Sequence, residues 1–124
     1  MVLSRNFEDI NSIYDFCEGI ITNICWNENL TDLLLTVYYF FDSPVGLKDK
    51  DIRIRFKSCS AVTFNCTNML AAMKQYGIVT PHPEIDHVVL QKFESCIRVI
   101  VSTNYDPSMV SLLCDEIWLE LIDK

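Results

Sequence analysis

Along residues 7–25 the apolar positions Phe7, Ile10, Ile13, Tyr14, Cys17, Ile20, Ile21 and Ile24 recur at the three- and four-residue intervals of one helical face. Asn6 is placed to cap that helix, with Glu8 and Asp9 in its positively polarised first turn. Gly19 weakens the second half by about 1 kcal/mol, and Asn23, Asn27 and Asn29 mark the exit. The pattern then changes. "DLLLTVYYFFD" is aromatic, β-branched and apolar on both faces, which predicts a long central strand over Leu33–Phe41. A polar turn at 43–51 leads into "DIRIRFK", where Ile52, Ile54 and Phe56 take one face and Arg53, Arg55 and Lys57 the other. "AVTFNC" continues the sheet with Val62 and Phe64 inward, and "NMLAAMKQYG" is a short helix closed by Gly77.

The rest of the chain reads mainly as strand. "TPHPEID" is an extended loop, because each proline removes a backbone donor and restrains its predecessor. "HVVLQKF" and "CIRVIVST" follow, and "NYDPS" is turn-like. "MVSLLCDEIWLELID" ends the chain as one long bent strand or two short ones, with Ile117, Leu119 and Leu121 inward. Sequential strands with short connections favour antiparallel pairing. The expected architecture is α+β: an N-terminal helix packed on a mainly antiparallel sheet of about six or seven strands, with one further short helix.

The length of 124 residues fits a single domain spanning 1–124. Half of the residues are hydrophobic and 22% are charged, which excludes a disordered chain. A net charge of −7 opposes non-specific nucleic-acid binding, which needs positive surface to release counterions. Half of the ten bases lie between Lys48 and Lys57, so the expected surface is acidic with one basic strip, suited to a charged protein partner. The opening "MVLSRNFED" has no signal-peptide core and no apolar run reaches bilayer length, so a cytoplasmic protein without membrane attachment is expected. In that compartment the six cysteines, none in a C-x-x-C pair, are expected as reduced thiols, most of them small buried hydrophobes.

Candidate chemistry is sparse. His82 and His87 flank Glu84 and Asp86, yet they match no metal-ligand spacing and sit in a proline-interrupted loop. Six cysteines and two histidines allow too many Cys–His pairs for any one to be singled out. Asp32, an acid at the start of an apolar strand, is expected as a solvated end, with a buried and hydrogen-bonded carboxylate as the alternative. No glycine-rich phosphate loop is present. The comb of Arg53, Arg55 and Lys57 reads either as a row for a partner's carboxylates or as the wet side of a sheet balanced by acids on adjacent strands. Trp118, with Tyr38 and Phe40, is either covered by the N-terminal helix or exposed as a binding anchor. Arg53, Arg55, Lys57 and Trp118 are therefore the candidate partner-binding residues, and neither a catalytic residue nor a cofactor is expected.

The stretch "ENLTDLLLTVYYFFD…LKDKDIRIRFKSCSAVTFN" resembles the opening of small, mostly uncharacterised proteins of Gram-positive bacteria, with similar domains among the immunity proteins of polymorphic toxin systems. Asp32, Leu33 to Phe41, Ile52 to Phe56 and Cys59 fit the shared pattern, and "CDEIWLEL" resembles the last strand. Thr31 stands where related immunity domains often carry a histidine. The resemblance covers about half of the chain and implies a non-enzymatic protein that binds and neutralises a toxin domain. Two other expectations stand beside it: a small ligand-binding domain or enzyme with a pocket between helix and sheet, using Asp32 or the His82–His87 loop, and a homodimer that hides Trp118.

Overall fold

A computed structural model describes residues 1–39, 48–79 and 82–122. Nine strands and two helices form among them: β1 (Val2–Ser4), α1 (Phe7–Ile13), β2 (Ile20–Trp26), β3 (Leu33–Tyr39), β4 (Lys50–Lys57), β5 (Ser60–Phe64), α2 (Thr67–Tyr76), β6 (Ile85–Phe93), β7 (Cys96–Thr103), β8 (Val110–Cys114) and β9 (Glu116–Leu121). They make two antiparallel sheets, ordered β1-β9-β4-β3-β2 and β5-β8-β7-β6. The expected single sheet under one N-terminal helix is thus replaced by two sheets, whose buried faces share one core cluster. Ile21, Leu35, Val37, Ile54, Phe56 and Leu119 enter it from the first sheet, and Leu90, Val99, Val101, Val110 and Leu112 from the second.

The correction begins at α1. Asn6 caps it as expected, its side-chain oxygen accepting from the Glu8 and Asp9 N–H groups at 2.9 and 3.2 Å. The helix nevertheless ends after seven residues, and 20–26 becomes a strand paired with β3. A register shift between Ile21 and Asn23 explains the misleading period. Ile21 opposes Val37 and Ile24 opposes Leu35, so two isoleucines three apart meet two core residues only two apart. A bulged strand thereby imitates helical spacing. Gly19 marks the tight approach, since an added Cβ would lie 2.7 Å from Val37 Cγ1.

Two bends carry the chain from one sheet to the other. β4 passes into β5 through Ser58 and Cys59, with Ser58 and Ala61 in the left-handed region (φ 54° and 51°). β8 passes into β9 at Asp115, whose N–H donates to the Lys57 carbonyl at 2.9 Å. A third junction joins β2 to β6, where the Ile21 and Ile85 N–H groups donate to Pro83 and Gly19 carbonyls, each at 2.8 Å. The two-strand reading of residues 109–123 holds, with Ile117 and Leu119 buried and Leu121 half-buried against the core. Phe64, expected inward, is 45% exposed because β5 is an edge strand, whereas Val62 packs against the core.

α2 occupies the expected segment and ends at Gly77 in the left-handed conformation (φ 67°). At its start Cys66 makes no side-chain capping bond, and Asn65 Oδ1 accepts from the Thr67 N–H at 3.3 Å. The carboxylate of Asp106, in the β7–β8 loop, accepts from the next two, the Asn68 N–H at 3.0 Å and the Met69 N–H at 3.3 Å. Of the six cysteines only Cys114 is fully buried; the other five are half-buried, fewer in the core than expected. Phe40, Phe41 and most of the 43–51 turn lie outside the described residues.

Candidate functional site

Strand pairing brings all four candidate residues onto the outer face of the five-stranded sheet. In the β4–β9 register Arg53 opposes Glu120, Arg55 opposes Trp118 and Lys57 opposes Glu116. Their alternate neighbours Ile52, Ile54, Phe56, Ile117 and Leu119 are buried in the core, which fixes the polar set outward. The Arg55 Nε–H donates to Glu120 Oε1 at 2.9 Å, and Arg53 Nε lies 3.4 Å from the same oxygen. Arg55 Nη1 reaches Asp32 Oδ2 at 3.4 Å. Both arginines therefore find their carboxylates inside the chain.

Asp32 is buried, not a solvated strand end. Its Oδ1 accepts from the Ser58 N–H at 3.1 Å and the Thr31 hydroxyl at 3.2 Å, tying the start of β3 to the β4–β5 corner. Burial alone would raise its pKa. The bonds from Ser58, Thr31 and Arg55 and the charge of Lys57 outweigh burial and hold it below the ordinary value. Glu120 behaves likewise: burial pushes its carboxyl up, and Arg55 and then Arg53 bring it down further. For Arg55, burial works against the charged form, and Glu120 and Asp32 more than compensate, raising its pKa.

Trp118 is half-buried under cations from its own chain, not under α1. Arg5 Cζ lies 4.0 Å and Lys57 Nζ 4.1 Å from the centroid of its ring, within the range of cation–π attraction. Its indole N–H is buried and has no partner among the described residues. α1 instead sends Ile10 into the core and lies against β1, β9 and β6.

Beyond α1 a cleft of about 280 Å³ opens against β6, lined by Ile10, Tyr14, Asp15, Phe16, His87 and Leu90 among others. Cys17 also lines a separate, smaller recess of about 160 Å³ bounded by Glu18, Glu84 and Asp86. Burial raises the Cys17 thiol pKa, and Asp15, Glu18, Asp86 and Glu84 raise it further. His87 Nδ1 lies 3.3 Å from Asp86 Oδ2, both side chains being well exposed, and His82 is exposed as well. No three His, Cys, Asp or Glu side chains among the described residues are grouped to hold a metal ion.

Glu120, Asp106, Asp15 and Glu18 escape the sequence reading, whereas Glu84 and Asp86 enter it only beside the two histidines and not beside Cys17. Glu120 alone carried a signal, lying two residues beyond Trp118 and hence on the same face of a strand.

No protein-family model and no curated protein matches the chain. Among solved structures, an uncharacterised protein from Neisseria gonorrhoeae is similar in fold, with a TM-score of 0.61 at 14% identity, over 86% of this chain and 94% of that one. That likeness concerns the fold alone. No helix among the described residues is long and apolar enough to cross a membrane.

Proposed function

We propose that this chain is a non-enzymatic protein-binding domain of the cytoplasm, with neutralisation of a toxin domain, as in immunity proteins, as its most specific form. The observation that carries the reading is that the Asp32 and Glu120 carboxylates are already committed within the chain: Glu120 is paired with Arg53 and Arg55, and Asp32 with Arg55 and the Ser58 N–H. The Asp32 and Glu120 carboxyls are held down, while the Cys17, Cys59, Cys66 and Cys114 thiols are raised by burial and by neighbouring acids, Cys114 to about 12. Each shift moves its group away from neutrality and fixes its resting protonation state. A carboxyl used in acid–base catalysis or a thiol used as a nucleophile is shifted the opposite way, toward the working pH.

The charge of −7 supports a basic partner, since it speeds the approach of opposite charge. The Arg53, Arg55, Lys57 and Trp118 face supports a structural role more than recognition, because its arginines already hold Glu120 and Asp32. The test is capture of partners from cells of the native organism by the tagged full chain, at low and at high salt. The expected result is one protein of positive charge, released by salt. A catalytic turnover that persists in the purified chain, with no protein retained, would overturn the reading.

A further inference from the structure

Among the described residues the two sheets leave four edge strands, β1, β2, β5 and β6. An edge strand presents unpaired N–H and C=O groups to any other chain, and proteins blunt it by shortness, charge, proline or a bulge. β1 is three residues long. β5 has five, its register broken between Ser60 and Thr63, with Ala61 in the left-handed region (φ 51°). β6 carries Asp86, His87 and Lys92. β2 is guarded only at its start, where the Ile21 N–H donates to the Pro83 carbonyl and Ile20 bridges to Glu84. Its bulge also lies before Asn23. From Asn23 to Trp26 the register with β3 is regular, and "NICW" contains neither charge nor proline.

That open edge has a defined chemistry. The Asn27 N–H donates to the Asp32 carbonyl at 3.0 Å, so alternation along an antiparallel pair turns the N–H and C=O of Ile24 and Trp26 away from β3. No other strand takes up these four groups among the described residues. Ile24 and Trp26 oppose the core residues Leu35 and Leu33, which places their side chains on the inner side of the sheet. There a cleft of about 270 Å³ lies beside the edge, lined by Ile21, Ile24, Met69, Pro83 and Met109 among others, none of them charged. Ile21 and Met109 are buried, and Ile24 and Met69 pack against the core. Trp26 stands outside this lining, 37% exposed. Charge then selects the occupant. The chain carries −7, so most of its surface repels a second copy. Residues 19–27 and 52–83, which include β2, β5 and α2, contain none of its 17 acids. Two copies can meet there without opposing like charges.

We propose that two copies of this chain pair through β2, antiparallel about a two-fold axis at Cys25, joining two five-stranded sheets into one continuous sheet. In this register Ile24 of each copy exchanges both backbone bonds with Trp26 of the other, and every outward group of the open edge finds a partner. Each Trp26 side chain then lies beside Ile24 of the other copy, over that copy's cleft. Size agrees. A cleft of about 270 Å³ falls below the roughly 300–1,000 Å³ of pockets that enclose small ligands, and suits one large side chain. Tryptophan is also among the residues that most often anchor an interface. This contact differs from the expected dimer over Trp118, whose ring Arg5 and Lys57 of the same chain already cover. Cys25 faces its own copy across the axis at a Cα separation of about 4.5 Å, within the roughly 4.4–6.8 Å that a disulfide spans.

The test is sedimentation equilibrium of the full chain under reducing conditions, up to about 0.5 mM. A reversible dimer is expected, and it should tighten as salt screens the net charge of the two copies. Salt thereby separates this contact from the proposed basic partner, which salt releases. Trp26→Lys charges the open edge, and Cys25→Lys sets like charges directly opposite each other across the axis; each should weaken the dimer more than about tenfold. Phe93→Lys, at an exposed apolar position on the guarded β6, should change it less than about twofold. Amide spectra report whether each variant is folded. Mild treatment of the wild type with a disulfide reagent, which takes up the two electrons and two protons that a pair of thiols gives up, should yield a covalent dimer. Its peptide map should join Cys25 to Cys25, and Cys25→Ser should give none. A chain that stays monomeric throughout, a dimer untouched by the folded Trp26→Lys and Cys25→Lys variants, or a link that runs through another cysteine would overturn the proposal. So would a monomer that captures another protein and loses it in Trp26→Lys, because the edge would then belong to that protein.

Discussion

Replacing Asp32 with alanine should be among the most damaging single changes of a charged residue. The carboxylate accepts from the Ser58 N–H at 3.1 Å, from the Thr31 hydroxyl at 3.2 Å and from Arg55 at 3.4 Å. Ser58 occupies the left-handed region at φ 54°, where a residue with a Cβ is strained, so its N–H is held in place at a conformational cost. A hydrogen bond to a charged group contributes about 1.5–3 kcal/mol. The Arg55 pair adds about 0.5–1 kcal/mol after allowance for the solvent that reaches the arginine. Together Asp32→Ala should cost about 2–4 kcal/mol, a large share of the roughly 5–15 kcal/mol that holds a typical domain together. Asp32→Asn keeps an oxygen for Ser58 and loses the charge, so its cost should be nearer 1 kcal/mol.

Urea denaturation at neutral and at acid pH separates the two contributions. The folded pKa of Asp32 lies below its unfolded value. Its charge therefore stabilises the protein fully above the unfolded pKa of about 3.9, and that share is lost as pH falls through the folded value. The gap between wild type and Asp32→Asn should accordingly be constant near neutrality and shrink as the pH drops below about 4. A loss under about 0.5 kcal/mol for Asp32→Ala, the level of an ordinary surface change, would refute the account. So would a gap that widens on acidification.

Asp106→Ala removes the remote cap from the Asn68 and Met69 N–H groups and should cost about 1–2 kcal/mol; hydrogen exchange should show α2 losing protection ahead of the β sheets, and unchanged α2 protection would contradict this role. Gly19→Ala drives a Cβ to 2.7 Å from Val37 Cγ1 and should cost about 1–3 kcal/mol. Gly77→Ala meets nothing within 4 Å and should cost only about 1 kcal/mol for its left-handed backbone, so the reverse order in denaturation would count against the packing argument. The Cys114 thiol, buried and pushed up to about 12, should escape iodoacetamide at pH near 8 in the folded chain and react once the chain unfolds, as peptide mass mapping can show.

What the sequence discloses follows the range of the forces involved. Strands β4, β7 and β9 are legible because one dry face imposes strict alternation, and that alternation survives in the buried Ile52, Ile54 and Phe56 and in Ile117 and Leu119. The layering is not legible. Ser58, Cys59 and Asp115, where strands leave one sheet for the other, carry no glycine or proline to announce a corner. The burial of Asp32 is equally hidden, since its donors Ser58 and Arg55 stand 26 and 23 residues away. The helical period over 7–25 also hides the cleft beside α1. Reading 7–25 as a helix assigns Tyr14, Phe16 and Cys17 to a continuous helical surface, whereas the chain leaves the helix at Tyr14 and turns through Glu18 at φ 68°. That turn brings Asp15 and Glu18 towards the acids at the start of β6. The bulge that lets β2 imitate a helix is thus the reason the carboxylates converge unannounced: residues 14–19 must cross from α1 to the edge shared by β2 and β6, and the acids they carry are set beside Glu84 and Asp86 by that crossing.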